Sequence, residues 1–196
     1  MNVLVVFDHP RRSSFCGAVL DSLVAGLAEA GHVAEIADLR SEGFDPRLPP
    51  ADEPDWSGTK IYSPEVLAEQ ARLERNDAVA FVFPVWWWSV PATTKGWIDR
   101  VWNDGWAYGN ARLSLKKARM FALSAGTPDS YAKRGYDSAM QTQLVTGILS
   151  YCGIEDAGLE LLHGSLEDVA TRERILTEAR RHGRAFCQRS PLSRSW

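Results

Sequence analysis

The chain is poor in cysteine, in basic charge and in long apolar runs, and each shortage removes a class of function. Its cysteines, Cys16, Cys152 and Cys187, are isolated and odd in number, with no C-x-x-C pair. That speaks against a zinc site or a disulfide framework, so no metal is expected, and points to a reducing cytoplasm. Lys and Arg number 22 against 25 Asp and Glu, a net charge of −3 that leaves no footprint for nucleic acid. The apolar run Ala78 to Phe83 falls far short of the ~20 residues of a membrane span. The opening Met-Asn-Val-Leu-Val-Val-Phe meets Asp8 too soon for a signal peptide. There is no internal repeat or linker either, and 196 residues at 45% hydrophobic suit a single core. One domain is therefore expected over 1–188, with a loose tail over 189–196.

Tryptophan is what the chain has in excess. Of its 8 residues, Trp86, Trp87, Trp88, Trp97, Trp102 and Trp106 are crowded together. The rest of the pattern says where that cluster falls. Asn2 to Phe7 reads as a strand buried on both faces, and Val19, Leu20, Leu23, Val24 and Leu27 recur at helical spacing, with Ser13 or Ser14 as N-cap and Gly31 as terminator. Further strands are expected over Val33 to Leu39, Ala78 to Phe83, Arg119 to Ser124 and Gly158 to Leu162. Helices are expected from Pro64, over Ala92 to Trp102, Tyr136 to Tyr151 and Leu166 to Cys187. Arg40 to Ser63 carries four prolines and two glycines among acidic residues and reads as a long irregular excursion or a mobile loop.

Strands alternating with helices predict an α/β doubly wound, five-stranded parallel sheet. With strand order 2-1-3-4-5, ligands belong beyond the strand ends, where the order reverses. Three loops would line that place. Asp8 to Phe15 precedes a helix N-terminus, where free N–H groups favour an anion; it is neither G-x-G-x-x-G nor G-x-x-x-x-G-K, and it reads either as a phosphate site or as a solvated, capped loop. Pro84 to Ser89 holds the Trp triplet, whose flat faces suit a planar ring or, alternatively, a core or dimer contact. Ala125 to Tyr131 combines Gly126, which admits close backbone approach, with the Tyr131 phenol, a donor into the site or a surface residue. Trp97 and Trp102, on the following helix, read as core or as subunit contacts.

Taken in order, His9-Pro10, Ser13-Ser14-Phe15, then F-P-V-W-W-W-S-V-P-A from Phe83, K-G-W-I-D-R-V from Lys95 and G-W-A-Y-G from Gly105 resemble the NAD(P)H:quinone oxidoreductase family of flavoproteins. The resemblance runs from Asn2 to about Cys187. It implies a flavodoxin-like fold, a noncovalently bound FAD (FMN as the alternative), a homodimer with two sites at its interface, and two-electron reduction of quinones or related aromatic acceptors by NADH or NADPH. By matching position it implies that His9, Ser14, Phe15 and Cys16 meet the phosphate side. Pro84, Val85, Trp86, Trp87 and Trp88 would lie along the ring system, Ser124, Ala125, Gly126 and Thr127 would hold its pyrimidine edge, and Tyr131 would stand by it as the catalytic donor. Trp88, Tyr108 and Tyr131 would wall the pocket shared by nicotinamide and acceptor. The chain departs from many relatives at Trp86 (glutamine), Cys16 (asparagine) and the Ala125-Gly126-Thr127 loop (T-G-G). Others place a histidine soon after the tyrosine, where this chain has Gly135, Tyr136 and Asp137, so a tyrosine-histidine relay does not carry over whole.

Two other readings are open at this level. One is an ancillary subunit of a potassium-efflux antiporter, separated from the first by a turnover assay on the isolated protein. The other is a reductase for a specialised, non-quinone acceptor. A one-electron carrier of the flavodoxin type is disfavoured by the lack of a T-x-T-G-x-T loop and of a strongly acidic surface.

Overall fold

The computed structural model describes residues 1–57 and 59–188; the tail expected over 189–196 lies outside the described residues. Its strands are β1 (Asn2–Phe7), β2 (Val33–Asp38), β3 (Ala78–Pro84), β4 (Lys117–Ser124) and β5 (Asp156–His163). All pair in parallel, in the order β2-β1-β3-β4-β5. The helices are α1 (Phe15–Glu29), α2 (Pro64–Glu74), α3 (Ala92–Val101), α4 (Pro128–Arg134), α5 (Tyr136–Met140) and α6 (Val169–Arg184). A 3-10 turn covers Pro50–Asp52 and a π-helical stretch Gln141–Ser150.

The continuous apolar run of β1 follows from burial on both sides. Val3, Val5 and Phe7 face Val19, Leu20 and Leu23 of α1 and Ile175 of α6, while Leu4 and Val6 share the opposite layer with Phe81, Trp97 and Val101. Trp97 and Trp102 belong to that second layer, as the sequence predicts, and the Trp97 indole N–H donates to Glu69 at 2.8 Å.

Three differences from the sequence-based expectation have local causes. β4 begins at Lys117, because the buried cations Lys117 and Arg119 are neutralised by Asp156 of β5. The segment expected to be loop up to Tyr131 contains α4, since the Thr127 hydroxyl accepts from the Ser130 N–H at 3.3 Å and Pro128 starts the helix. Gly135, at φ 67°, then turns the chain into α5. α6 begins at Val169 because Asp168 caps it, accepting from Thr171 N–H at 2.8 Å.

The excursion that starts at Arg40 is fastened to the body. The buried Arg100 guanidinium of α3 donates to Asp52 at 2.7 Å and to Glu65 at 2.6 Å, and Ser63 N–H donates to Asp52 at 3.0 Å. A buried cation held by two carboxylates ties the 3-10 turn to α2 and α3.

Candidate active site at the strand ends

Strand order reverses between β1 and β3, and the loops leaving them diverge to opposite faces of the sheet. The first of these loops runs into α1, whose N-cap is Ser14; its hydroxyl accepts from Gly17 N–H at 3.2 Å. Among the described residues the N–H groups of Phe15 and Cys16 have no backbone acceptor, so the first turn offers two donors. The Cys16 thiol faces the other way: it is buried, and burial pushes it up to about 12. With its thiol buried, Cys16 offers the loop its backbone N–H. His9 Nδ1 lies 3.0 Å from both the N–H and the carbonyl oxygen of Arg11, which ties the ring to its own loop and leaves Nε2 without a partner among the described residues. Beside the loop lies an open cleft of about 490 Å³ lined by Arg12, Ser13, Ser14, Ala18 and Asp21.

The Trp triplet forms a tight two-residue turn in place of an extended segment. Trp86 and Ser89 exchange backbone hydrogen bonds, at 3.3 and 3.1 Å, while Trp87 and Trp88 have φ of 53° and 52°. Positive φ at both central residues defines a type I′ turn, a position where Asn and Gly are the usual choices. Two bulky aromatics there cost of order 1–3 kcal/mol each, strain of the kind that collects at functional sites. The turn throws Trp87 almost wholly into solvent, 88% exposed, and leaves Trp86 and Trp88 about 40% exposed. Trp86 approaches the His9 ring at 6.5 Å, so the first two loops meet. Val85 N–H is tied to Leu123 of β4 at 2.8 Å.

Trp88 stacks on Tyr136 at 4.1 Å between ring centroids. Tyr136 meets Tyr131 edge to face at 5.8 Å, and Tyr131 meets His163 edge to face at 4.8 Å. An unbroken aromatic wall thus runs from the β3 loop past α4 to the last residue of β5. A Cβ on Gly126 would lie 2.9 Å from the Tyr131 ring, so only glycine lets the β4 loop pass under that tyrosine. Ser124 is buried and its hydroxyl accepts from Gly126 N–H at 3.1 Å. His9, Trp86, Trp88, Gly126 and Tyr131 therefore stand at the strand ends, as the sequence predicts. Tyr136 and His163 were not among the predicted residues; His163 could have been found, because it closes a strand at the end where ligands sit.

Tyr108 is not brought to this wall within one chain. It packs on Tyr151 at 5.7 Å, in the segment between α3 and β4, which is anchored at the N-terminal strand ends by Lys116 N–H donating to Asp77 at 2.8 Å. Trp106 lies there too, donating to Glu74 at 2.8 Å and lining a cavity of about 280 Å³.

A family model described as flavodoxin-like fold matches residues 1–186. The chain is 38% identical over 162 residues to a protein of Escherichia coli (strain K12) named uncharacterized NAD(P)H oxidoreductase YcaK, covering 82% of each. It is 32% identical to the NAD(P)H dehydrogenase [quinone] 1 of Rattus norvegicus, over 78% of this chain and 65% of the rat protein. Among solved structures, the NAD(P)H:quinone oxidoreductase from Methanothermobacter marburgensis superposes with a TM-score of 0.88 at 33% identity, covering 95% of this chain and 96% of the other.

Proposed function

The chain belongs to the flavodoxin-like family, and on that footing we propose that it is a flavin-dependent NAD(P)H oxidoreductase that reduces quinones or related aromatic acceptors by two electrons. The observation that carries this reading is the strained Trp87-Trp88 turn, open to solvent, at the strand-order reversal. Backbone strain of this kind clusters at functional sites, and a planar ring is the ligand that exposed indoles suit.

The residues fit a flavin. Phe15 and Cys16 N–H groups and the His9 ring supply donors for its phosphate, with Ser14 holding the helix end in place. Pro84, Val85 and Trp86 to Trp88 line the ring system; Ser124, Ala125, Gly126 and Thr127 form the second edge, where the missing Cβ of Gly126 makes room. FAD is the first choice, with FMN as the alternative. Bound there, the flavin supplies a hydride acceptor that the side chains lack.

Trp88, braced by Tyr136, orients a flat ring by stacking, and successive use of the one wall by nicotinamide and acceptor gives ping-pong kinetics. Tyr131 is held among His163, Tyr136 and Gly126 and offers a phenol O–H, a donor for negative charge that builds during reduction. Because Tyr108 lies at the far end of the strands, its share in the pocket requires a second copy of the chain, which supports a homodimer with sites at its interface. NADH or NADPH serves as donor, and the location is cytoplasmic, in keeping with three free thiols.

The test is to purify the protein, record its visible spectrum, and identify the released cofactor by chromatography. A yellow protein releasing FAD or FMN supports the reading. A colourless protein that takes up neither contradicts it.

A further inference from the structure

We infer that His163 is a positioning residue for the 126–127 peptide, aiming the Thr127 N–H into the site. This rests on the flavin reading given above and deepens it. His163 Nδ1 lies 3.1 Å from the carbonyl oxygen of Gly126. A carbonyl can only accept, so Nδ1 must carry the proton, and the ring is fixed as the Nδ1–H tautomer when neutral. The same oxygen also receives the Ser124 hydroxyl, more weakly, at 3.4 Å. The Gly126 carbonyl is thus held towards β4 and β5.

Peptide planarity turns that anchor into an orientation. In a trans peptide the C=O and the following N–H point in opposite directions. Fixing the Gly126 carbonyl towards the sheet therefore aims the Thr127 N–H away from it. That N–H has no acceptor among the described residues, whereas the other polar groups of Gly126 and Thr127 are used: Gly126 N–H by Ser124, the Thr127 hydroxyl by Ser130 N–H, and the Thr127 carbonyl by Tyr131 N–H. A lone donor beneath Tyr131 is what an oxygen or nitrogen on the edge of a flavin needs, most of all once the ring carries negative charge. His163 does a second thing with the same ring, packing edge to face on Tyr131 at 4.8 Å, so both donors of this edge rest on one side chain. Gly126 completes the device, because any other residue would strike the Tyr131 ring and shift the peptide.

His163→Asn keeps a donor where Nδ1 stands and removes the ring; His163→Phe keeps the ring and removes the donor. Flavin dissociation constants measured by fluorescence quenching should rise roughly three- to tenfold in H163F, the range for a lost neutral hydrogen bond, and stay within about twofold in H163N. In the flavin-free proteins, the Thr127 amide resonance should move in H163F and hold in H163N. Nitrogen-15 spectra of the wild-type imidazole should show the proton on Nδ1. Equal flavin affinity in both variants with an unmoved Thr127 amide, equal weakening in both, or an Nε2–H tautomer in the wild type would each overturn the assignment. If the wild type itself binds no flavin, the functional reading fails, while the amide and tautomer measurements still decide the role of His163.

Discussion

The carboxylate of Asp8 accepts from both the backbone N–H and the hydroxyl of Thr94, at 2.9 and 3.0 Å. Asp8 follows β1 and Thr94 lies in the first turn of α3, 86 residues later. The N-cap of α3 is Pro91, which has no side chain to offer, so a residue from another loop satisfies the helix end. Asp8 also receives Arg40 Nε at 3.0 Å, which joins the start of the excursion to the same carboxylate. Loops one and two and the excursion are thereby fixed relative to each other before any ligand arrives.

Replacing Asp8 by alanine leaves Thr94 N–H without its acceptor and removes the partner of Arg40. The expected loss is about 2–3 kcal/mol, read from urea denaturation. Thr94→Val, which keeps the amide contact, should lose only about 1 kcal/mol.

The Trp turn should trade stability against function. Trp87→Gly removes the strain of a bulky residue at φ 53° and little packing, since the side chain is almost wholly exposed. It should raise stability by roughly 1 kcal/mol, the left-handed cost less the added chain entropy of glycine. Trp88→Ala breaks the stack on Tyr136, and steady-state kinetics should show a higher KM for the aromatic acceptor.

Acid should weaken the fold through Glu35. Hydrogen bonds from Arg75 first, then Asn76 and Arg72, hold its carboxyl at about 2 against an ordinary 4.5. A value lower in the folded state means that the stabilisation is complete above about 4.5 and fades as pH falls towards 2. Glu35→Gln should flatten the stability–pH curve across that window by about 1–2 kcal/mol, a figure reduced for the partial exposure of the group. Denaturant titrations at pH 6, 4 and 3 measure it.

Thiol chemistry should divide the cysteines. Burial pushes Cys16 up to about 12 and Cys152 to about 11, while Cys187 is exposed. A disulfide reagent at pH 8 should titrate one thiol quickly and the other two only on unfolding.

The sheet was legible in the sequence because its signal is local. Val3 to Phe7 and Ala78 to Phe83 are apolar at every position, as a strand buried on both faces requires, and the bounds of β1 agree with the reading. Lys117 and Arg119 hid the start of β4 because their charges are cancelled by Asp156, a partner 39 and 37 residues away that no local pattern reveals. The site divides in the same way. Loops at strand ends could be placed by order alone, and glycine beside Tyr131 was readable as a close approach. The type I′ turn was not, since its sequence, Trp-Trp, violates the preference that would announce it. Tyr136 and His163 join the wall only through tertiary packing.

The most direct test of the central claim is anaerobic stopped-flow mixing of the flavin-loaded protein with NADH or NADPH and no acceptor. The account predicts complete bleaching of the flavin band by the nucleotide alone, followed by full return of the band when a quinone is added in a second mix. A band that stays unchanged with both nucleotides until an acceptor is present would contradict it.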